Sequence, residues 1–221
     1  MTSKLEAVEN NIRRAAAEAG RPATDITLVA VSKTKPNDVI TPVLAAGHRT
    51  FGENKVQEAA QKWPTLRESY PDIDLHLIGP LQSNKVRQAI QIFEVIETVD
   101  RPKLARAIAR ISAEEGRHPR CYIQVNVGQE EQKAGILPQK ADDFIRLCRD
   151  ELKLPLDGLM CIPPAGQDPT PYFTLLKEIA DRNGLNKLSM GMSGDFETAI
   201  RCGATSVRVG TALFGDRPPL G

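Results

Sequence analysis

Short apolar runs alternate with amphipathic segments along most of the chain. The runs are rich in Val, Ile and Leu, which is typical of strands in a parallel sheet, and the segments between them carry apolar residues at helical spacing. A further helix is predicted at the N-terminus, from Lys4 to about Ala19, with Gly20 as its stop. Eight strands are predicted, at residues 26–31, 49–52, 74–79, 94–99, 121–127, 156–162, 187–192 and 206–210.

The alternation of strands and helices indicates an α/β fold with a parallel sheet. Eight repeats favour closure into a (β/α)₈ TIM barrel over an open doubly wound sheet. We therefore predict a single TIM-barrel domain over residues 1–221, with an additional N-terminal helix within 1–20 and the barrel over 26–215. The loop-rich stretch PPAGQDPTP, residues 163–171, is interpreted as a connection inside that domain.

Charge and composition exclude several classes of function. Lys and Arg (29) nearly balance Asp and Glu (28), so no general field attracts nucleic acid or a membrane surface, and any anion must be bound locally. The four cysteines are far apart, without a CxxC pair, and are interpreted as reduced and mostly buried. The three histidines are equally scattered, and we predict no metal site.

The chain carries no sign of export or membrane insertion. Its first twenty residues are charged and lack the apolar core of a signal peptide, and no stretch reaches the length of a membrane span. We therefore expect a cytoplasmic protein. Aromatic content is low and the helices carry mixed charge, so no interface is evident and a monomer is expected.

The stretch LVAVSKTKP, residues 28–36, places a lysine where a buried strand ends. In a barrel the loops after the strands share one face, and functional groups concentrate there. Lys33 is therefore a candidate functional residue, whereas Lys35 is interpreted as a side chain that reaches solvent.

Two glycine-bearing junctions follow the last two strands, in SMGMSGDFETAI and VRVGTALFG. Many barrels bind a phosphate at these positions, with backbone N–H groups close to the anion. The candidate phosphate residues are Ser193, Gly194, Gly210 and Thr211. Ser193 or Asp195 also suits the N-cap of the following helix, a purely structural role.

Arg208 lies within the last predicted strand, between two valines, and alternation places it on the opposite side, in the barrel interior. A buried arginine needs a partner. A phosphate, an aromatic ring nitrogen or a carboxylate such as Glu53 or Glu97 satisfies this need, so ligand-facing and structural readings both stay open.

A lysine in a barrel mouth beside a phosphate site indicates Schiff-base chemistry, because desolvation and a nearby cation free the amine as a nucleophile. Two chemistries are compatible: the lysine holds pyridoxal 5'-phosphate (PLP), or it attacks a sugar phosphate directly, as in a lysine-dependent aldolase. An aldolase needs more acid–base groups, and the strand ends supply chiefly Glu53. The cofactor is therefore favoured. The other polar residues at the strand ends are Ser32, Asn54, Gln82, Ser83, Asn84 and Asn126, and Pro163 follows the sixth strand.

Five segments, VAVSKTKP, FGENKVQE, HLIGPLQSNK, LSMGMSGDFETAI and VRVGTALFG, closely resemble the pyridoxal phosphate homeostasis proteins, in the same order and over almost the whole chain. The resemblance implies a fold like the N-terminal barrel of alanine racemase. It implies that Lys33 carries the PLP aldimine, that Arg208 faces the pyridine nitrogen and that Asn54 lies near the ring. It places the phosphate among Ser193, Gly194, Gly210 and Thr211.

The resemblance further implies a PLP-binding protein of vitamin B6 and amino-acid balance, without established turnover. Alanine racemases add a β-domain that supplies a second proton-transfer group, and this chain is expected to lack one because it ends at Gly221. Arg208 would also disfavour a protonated ring nitrogen. The expected partners are PLP, the apo-enzymes that receive it or regulatory proteins that sense it. The alternative is a low-activity PLP-dependent racemase or decarboxylase.

Overall fold

A closed barrel of parallel strands forms the centre of the molecule, in a computed structural model that describes residues 2–215. Within that range the strands follow one another in chain order around the barrel, and the last pairs with the first. The strands are β1 (Thr27–Val31), β2 (Thr50–Glu53), β3 (Asp74–Leu77), β4 (Val95–Val99), β5 (Arg120–Val125), β6 (Leu156–Cys161), β7 (Lys187–Ser189) and β8 (Ser206–Val209).

Helices surround the barrel and cover its outer surface. They are α1 (Thr2–Glu18), α2 (Asn37–Ala45), α3 (Val56–Ser69), α4 (Val86–Ile92), α5 (Pro102–Glu115), α6 (Ala141–Arg146), α7 (Thr170–Arg182), α8 (Phe196–Arg201) and α9 (Thr211–Phe214). Helix α1 precedes the first strand and packs on α8 and α9, with a buried stripe that includes Leu5, Val8 and Ile12. Gly20, just past its end, has a φ of +65° and stops the helix.

The period of two along each strand separates two buried environments. Leu75 and Leu77 of β3 face outward into the main hydrophobic core, between sheet and helices, whereas His76 lies between them on the inner side. Val207 and Val209 belong to the same outer core, and Arg208 points inward. The interior is therefore partly polar.

A small apolar cluster of Val95, Tyr122 and Met160 lies apart from the main core, with Ile162 packed against it. Glu97, on the same strand as Val95, is completely buried. TIM barrels usually fill this space with bulky branched residues. Charged side chains in the barrel interior lower the stability of the fold unless each is paired with an opposite charge.

The predicted TIM barrel with an N-terminal helix is confirmed, and each predicted strand is present, with ends that differ by at most three residues, the largest difference being at the end of β7. The expected single domain over 1–221 extends past the described residues at both ends. Over residues 2–215 no helix combines the length and the apolar character needed to cross a membrane. In the same range the four cysteines are free thiols, three buried and Cys202 partly exposed.

Candidate functional site

A cavity of about 280 Å³ opens at the carboxyl ends of the strands. All seven residues predicted to bind the cofactor line it: Lys33, Asn54, Ser193, Gly194, Arg208, Gly210 and Thr211. The remaining lining is apolar, from Val31, Ile78, Ile162 and Met192. Segments nearly 180 residues apart in sequence thus converge on one site, as closure of the barrel requires, although the role of each residue stays a prediction.

Lys33 lies in a turn directly after β1, and its half-buried side chain reaches the cavity. Lys35 points elsewhere. Its Nζ donates to the carbonyl oxygens of Phe214 (3.3 Å) and Gly215 (3.0 Å) at the end of α9. The expectation that Lys35 simply reaches solvent is therefore wrong, because unpaired carbonyls at a helix C-terminus attract a cation.

The junctions after β7 and β8 are joined to each other. The backbone N–H of Gly210 donates to Ser193 Oγ over 3.3 Å, so the hydroxyl ties the two predicted phosphate-binding loops together. A Cβ built on Gly194 would contact nothing within 4 Å, which means that open space lies beside this backbone. An anion can approach the amides there without a steric clash.

The predicted helix cap at this junction is wrong for both candidate side chains. Asp195 occupies the N-cap position of α8, but its Oδ1 accepts from the N–H of Met192 over 2.6 Å rather than from a helix amide. Ser193 instead bonds to Gly210. Its hydroxyl proton remains available as a donor toward the cavity.

Arg208 forms the charged floor of the cavity. Its guanidinium donates to Ser189 Oγ (2.7 Å) and to the carbonyl oxygen of Cys161 (2.8 Å), and lies 3.8 Å from Glu97 Oε2. The side chain is 3% exposed. The arginine thus has a carboxylate partner, and because it also lines the cavity its ligand-facing role stays a prediction.

A chain of charged groups continues from Arg208 down the barrel axis. Glu97 accepts from Ser189 Oγ (2.5 Å) and from His76 Nδ1 (2.6 Å), and the other ring nitrogen of His76 lies 3.3 Å from Asp74. Asp74 in turn accepts from Arg120 (2.6 Å) near the opposite end of the barrel. Each buried charge therefore has a partner of opposite sign.

The titration of these groups follows from their contacts. Burial lowers the pKa of His76, but its hydrogen bonds to Asp74 and Glu97 outweigh burial and raise the pKa to about 9. Burial raises the pKa of Asp74, yet hydrogen bonds from His76 and Arg120 bring the pKa down to about 2. Burial opposes ionisation of Glu97 as well, and His76 overcomes it and lowers the pKa. At neutral pH His76 is an imidazolium between two carboxylates.

Glu53 does not lie at the barrel mouth, contrary to the sequence-based expectation. It follows Phe51 and Gly52 on β2, and alternation directs it outward with Phe51 while Asn54 reaches the cavity. The carboxylate is completely buried against α3, where it accepts from Lys62 (2.9 Å). Burial raises its pKa, against the opposing effect of Lys62. Glu53 therefore supplies no acid–base group to the cavity.

Other polar residues at the strand ends serve the loops. Asn126 donates to the carbonyl oxygen of Glu130 (2.8 Å) and accepts from its N–H (3.2 Å), which holds the loop after β5. Gln82 lines a neighbouring cavity of about 440 Å³ that shares Asn54 with the first. Neither Ser83, Asn84 nor Pro163 lines the described cavity at Lys33.

One side of the cavity is apolar, which the sequence-based predictions do not include. Ile78 and Ile162 directly follow β3 and β6 and face inward, and Met192, 40% exposed, lies at the rim. Alternation along β3 and β6 is the sequence pattern that indicates the inward direction of the two isoleucines. They give the site an apolar wall suited to a flat ring.

The donor set fits a small aldehyde that carries an anionic group. An amine and a cation occupy the cavity lining, amides and hydroxyls lie at one side, and open space at Gly194 admits the anion. PLP has these parts: an aldehyde, a phosphate and a ring nitrogen. Within residues 2–215, no cluster of three or more His, Cys, Asp or Glu suited to a metal ion is present.

Known proteins resemble this chain over almost its whole length. Residues 3–218 match the model of the alanine racemase N-terminal domain family. The chain is 39% identical over 223 residues to the pyridoxal phosphate homeostasis protein of Vibrio cholerae, covering 96% of this chain and 94% of that protein. The chain belongs to the pyridoxal phosphate homeostasis protein family.

Solved structures place the family in a wider context. PipY of Synechococcus elongatus PCC7942, whose structure has PLP bound, is 36% identical, with a TM-score of 0.80 over 93% of this chain and 100% of that one. An alanine racemase from Clostridium difficile is 17% identical, with a TM-score of 0.72. The match covers 98% of this chain and 57% of the racemase. That likeness shows that the two proteins share the barrel fold.

Proposed function

We propose that this protein binds PLP as a Schiff base on Lys33 and serves as a carrier in PLP homeostasis and amino-acid balance. The observation that carries the proposal is the convergence of all seven predicted residues on one cavity. The PLP-bound structure of PipY, which covers nearly the whole chain, supports the identity of the ligand.

The bond to Lys33 needs an amine and an aldehyde. Lys33 would hold PLP through its amine in a C=N bond, whose formation would release the carbonyl oxygen as water together with the two protons of the amine. Ser193, Gly194, Gly210 and Thr211 would hold the phosphate, and Arg208 would face the ring nitrogen with Asn54 beside the ring. When bound, PLP supplies an electrophilic carbon whose bond to one amine can be replaced by a bond to another.

The cavity supports carriage rather than turnover. Among the described residues that line it, Lys33 and Arg208 are the ionisable ones, and neither a carboxyl, a histidine nor a tyrosine is present. Racemisation needs a proton donor and a proton acceptor on opposite faces of the substrate. Glu97, an acid of the barrel interior, lies beneath Arg208 and is completely buried. Within residues 2–215 the cavity lining thus offers no second proton-transfer group, which supports the carrier role.

Incubation of the PLP-loaded protein with a panel of L- and D-amino acids tests this function. We expect stoichiometric exchange of PLP to the added amine, transfer of PLP to an apo-enzyme, and no product beyond one equivalent. Multiple turnovers of racemisation or decarboxylation would overturn the carrier role in favour of the low-activity enzyme. The cytoplasmic location and the monomeric state stay predictions.

A further inference from the structure

The turn that carries Lys33 has an unusual backbone. Thr34 has a φ of +61°, a conformation that β-branched residues rarely adopt. The N–H of Lys35 closes the turn by donating to the carbonyl oxygen of Ser32 over 3.1 Å. Such a conformation persists where surrounding contacts hold it, and strain of this kind clusters at functional sites.

Two charged side chains of α3 hold the turn from its outer side. Glu58 Oε1 accepts from the N–H of Thr34 over 2.5 Å. Lys62 Nζ donates to the carbonyl oxygen of Ser32 over 3.0 Å. The backbone positions immediately before and after Lys33 are therefore both bound by one helix.

The two side chains are also bound to each other. Lys62 Nζ lies 2.9 Å from Glu58 Oε1 and 2.9 Å from Glu53 Oε1, so its three donors are all used. Glu53 additionally accepts from Ser32 Oγ (2.7 Å) and from the indole N–H of Trp63 (3.2 Å). Lys62 is 9% exposed, although a lysine normally extends its ammonium to water.

Glu53 and Lys62 are buried and Glu58 is partly exposed, and a largely buried ionic group is costly where packing is its single purpose, because apolar residues of similar volume stabilise a core at least as well. This one contacts the backbone on each side of the predicted Schiff-base lysine, and none of its acidic or basic members lines the cavity. We propose that Glu58 and Lys62 are positioning residues, which fix the turn so that the Lys33 amine meets the aldehyde of a phosphate-anchored ligand. This inference rests on the proposed function and adds the residues that align the amine.

The positions of Glu58 and Lys62 explain why they act on formation of the bond to Lys33 and not on binding of the phosphate. The phosphate residues follow β7 and β8, whereas the turn of Lys33 is bound by α3. Neither Glu58 nor Lys62 lines the cavity, so replacing them removes none of the predicted phosphate-binding groups. Loss of a hydrogen bond to a charged group corresponds to about a tenfold change in an equilibrium.

The test measures the ratio of covalently bound to non-covalently bound PLP in Glu58→Ala, Glu58→Gln and Lys62→Met, from the visible spectrum at saturating PLP and from mass spectrometry after borohydride reduction. We expect the ratio to fall about tenfold in Glu58→Ala and Lys62→Met, and less in the isosteric Glu58→Gln, while total PLP binding persists. Glu58→Gln keeps the test valid where a truncated variant fails to fold.

Two variants on the same helix are the controls. Glu68 is exposed, and Glu68→Gln should keep the wild-type ratio. Leu66 is a buried core residue, and Leu66→Ala should lower thermal stability while the ratio is kept.

The possible results distinguish a failure of the positioning role from a failure of the proposed function. Wild-type ratios in folded Glu58→Gln and Lys62→Met proteins would overturn the positioning role and leave the PLP function standing. A fall in Leu66→Ala equal to that in Glu58→Ala would overturn it too, since the effect would then follow general stability. A wild-type protein without any covalent adduct would overturn the proposed function itself.

Discussion

Replacement of Glu97 by Gln tests the charged chain inside the barrel. Glu97 is completely buried, accepts from His76 (2.6 Å) and Ser189 (2.5 Å), and lies 3.8 Å from Arg208. The amide keeps the shape but removes the charge that faces two buried cations. Breaking a buried ion pair on one side costs about 3–5 kcal/mol. For a chain of this size that corresponds to a fall in Tm of roughly 6–20 °C.

The fall in the free energy of unfolding of Glu97→Gln is measured by urea unfolding at pH 7, followed by circular dichroism. A thermal scan gives the change in Tm. The exposed Glu114 of α5 is ion-paired with Arg87 and Arg110 at the surface and is the control: Glu114→Gln should change the free energy of unfolding by less than about 1 kcal/mol. A loss in Glu97→Gln below about 1 kcal/mol would refute the reasoning, because a well-solvated or unpaired carboxylate would give that value.

The same variant has a pH signature. The pKa of His76 is raised to about 9, above its unfolded value, so its stabilisation is fully present below pH 6.5 and is lost as the pH rises through about 9. The stabilisation from His76 that is lost at alkaline pH amounts to roughly 3 kcal/mol. In Glu97→Gln the pKa of His76 falls and this alkaline loss should shrink. An unchanged alkaline profile would show that Glu97 does not hold the imidazolium.

Three further outcomes follow from local contacts. A Cβ on Gly79 would lie 2.7 Å from the Cα of Asn54, so Gly79→Ala should displace Asn54 and weaken PLP binding in a fluorescence titration; unchanged affinity would contradict the role of Asn54. Ser193→Ala removes the acceptor of the Gly210 N–H, and PLP affinity should fall about tenfold with the covalent ratio kept; a changed ratio with unchanged affinity would contradict this assignment. Of the four thiols, the partly exposed Cys202 should react first with a disulfide reagent in native protein, and all four in denaturant; rapid native reaction of a second thiol would contradict the buried state of the others.

Much of the fold was accessible from periodicity, because strands buried on both faces and amphipathic helices carry strong patterns. The same period of two placed Arg208 in the interior. The error at Glu53 came from counting strand ends without applying that period, since Asn54 and not Glu53 lies on the inner side.

The rest depended on three-dimensional relations that a linear pattern does not contain. His76 and Glu97 meet because both point inward from the neighbouring strands β3 and β4, with Glu97 two positions beyond Val95, the register partner of His76. Glu58 and Lys62 reach the turn of Lys33 because α3 packs beside it. The rotation of a helix about its axis is set by its packing, so the pairing of its charged residues with a distant turn was not predictable from spacing.

Borohydride reduction of the PLP-loaded protein, followed by peptide mapping, tests the central claim most directly. The account predicts that the reduced adduct adds one pyridoxyl phosphate to the peptide that contains Lys33, and that Lys33→Ala abolishes it. Lys35 lies two residues away and is bound to the end of α9. An adduct on Lys35, or a protein that binds PLP and yields no adduct, would contradict the account.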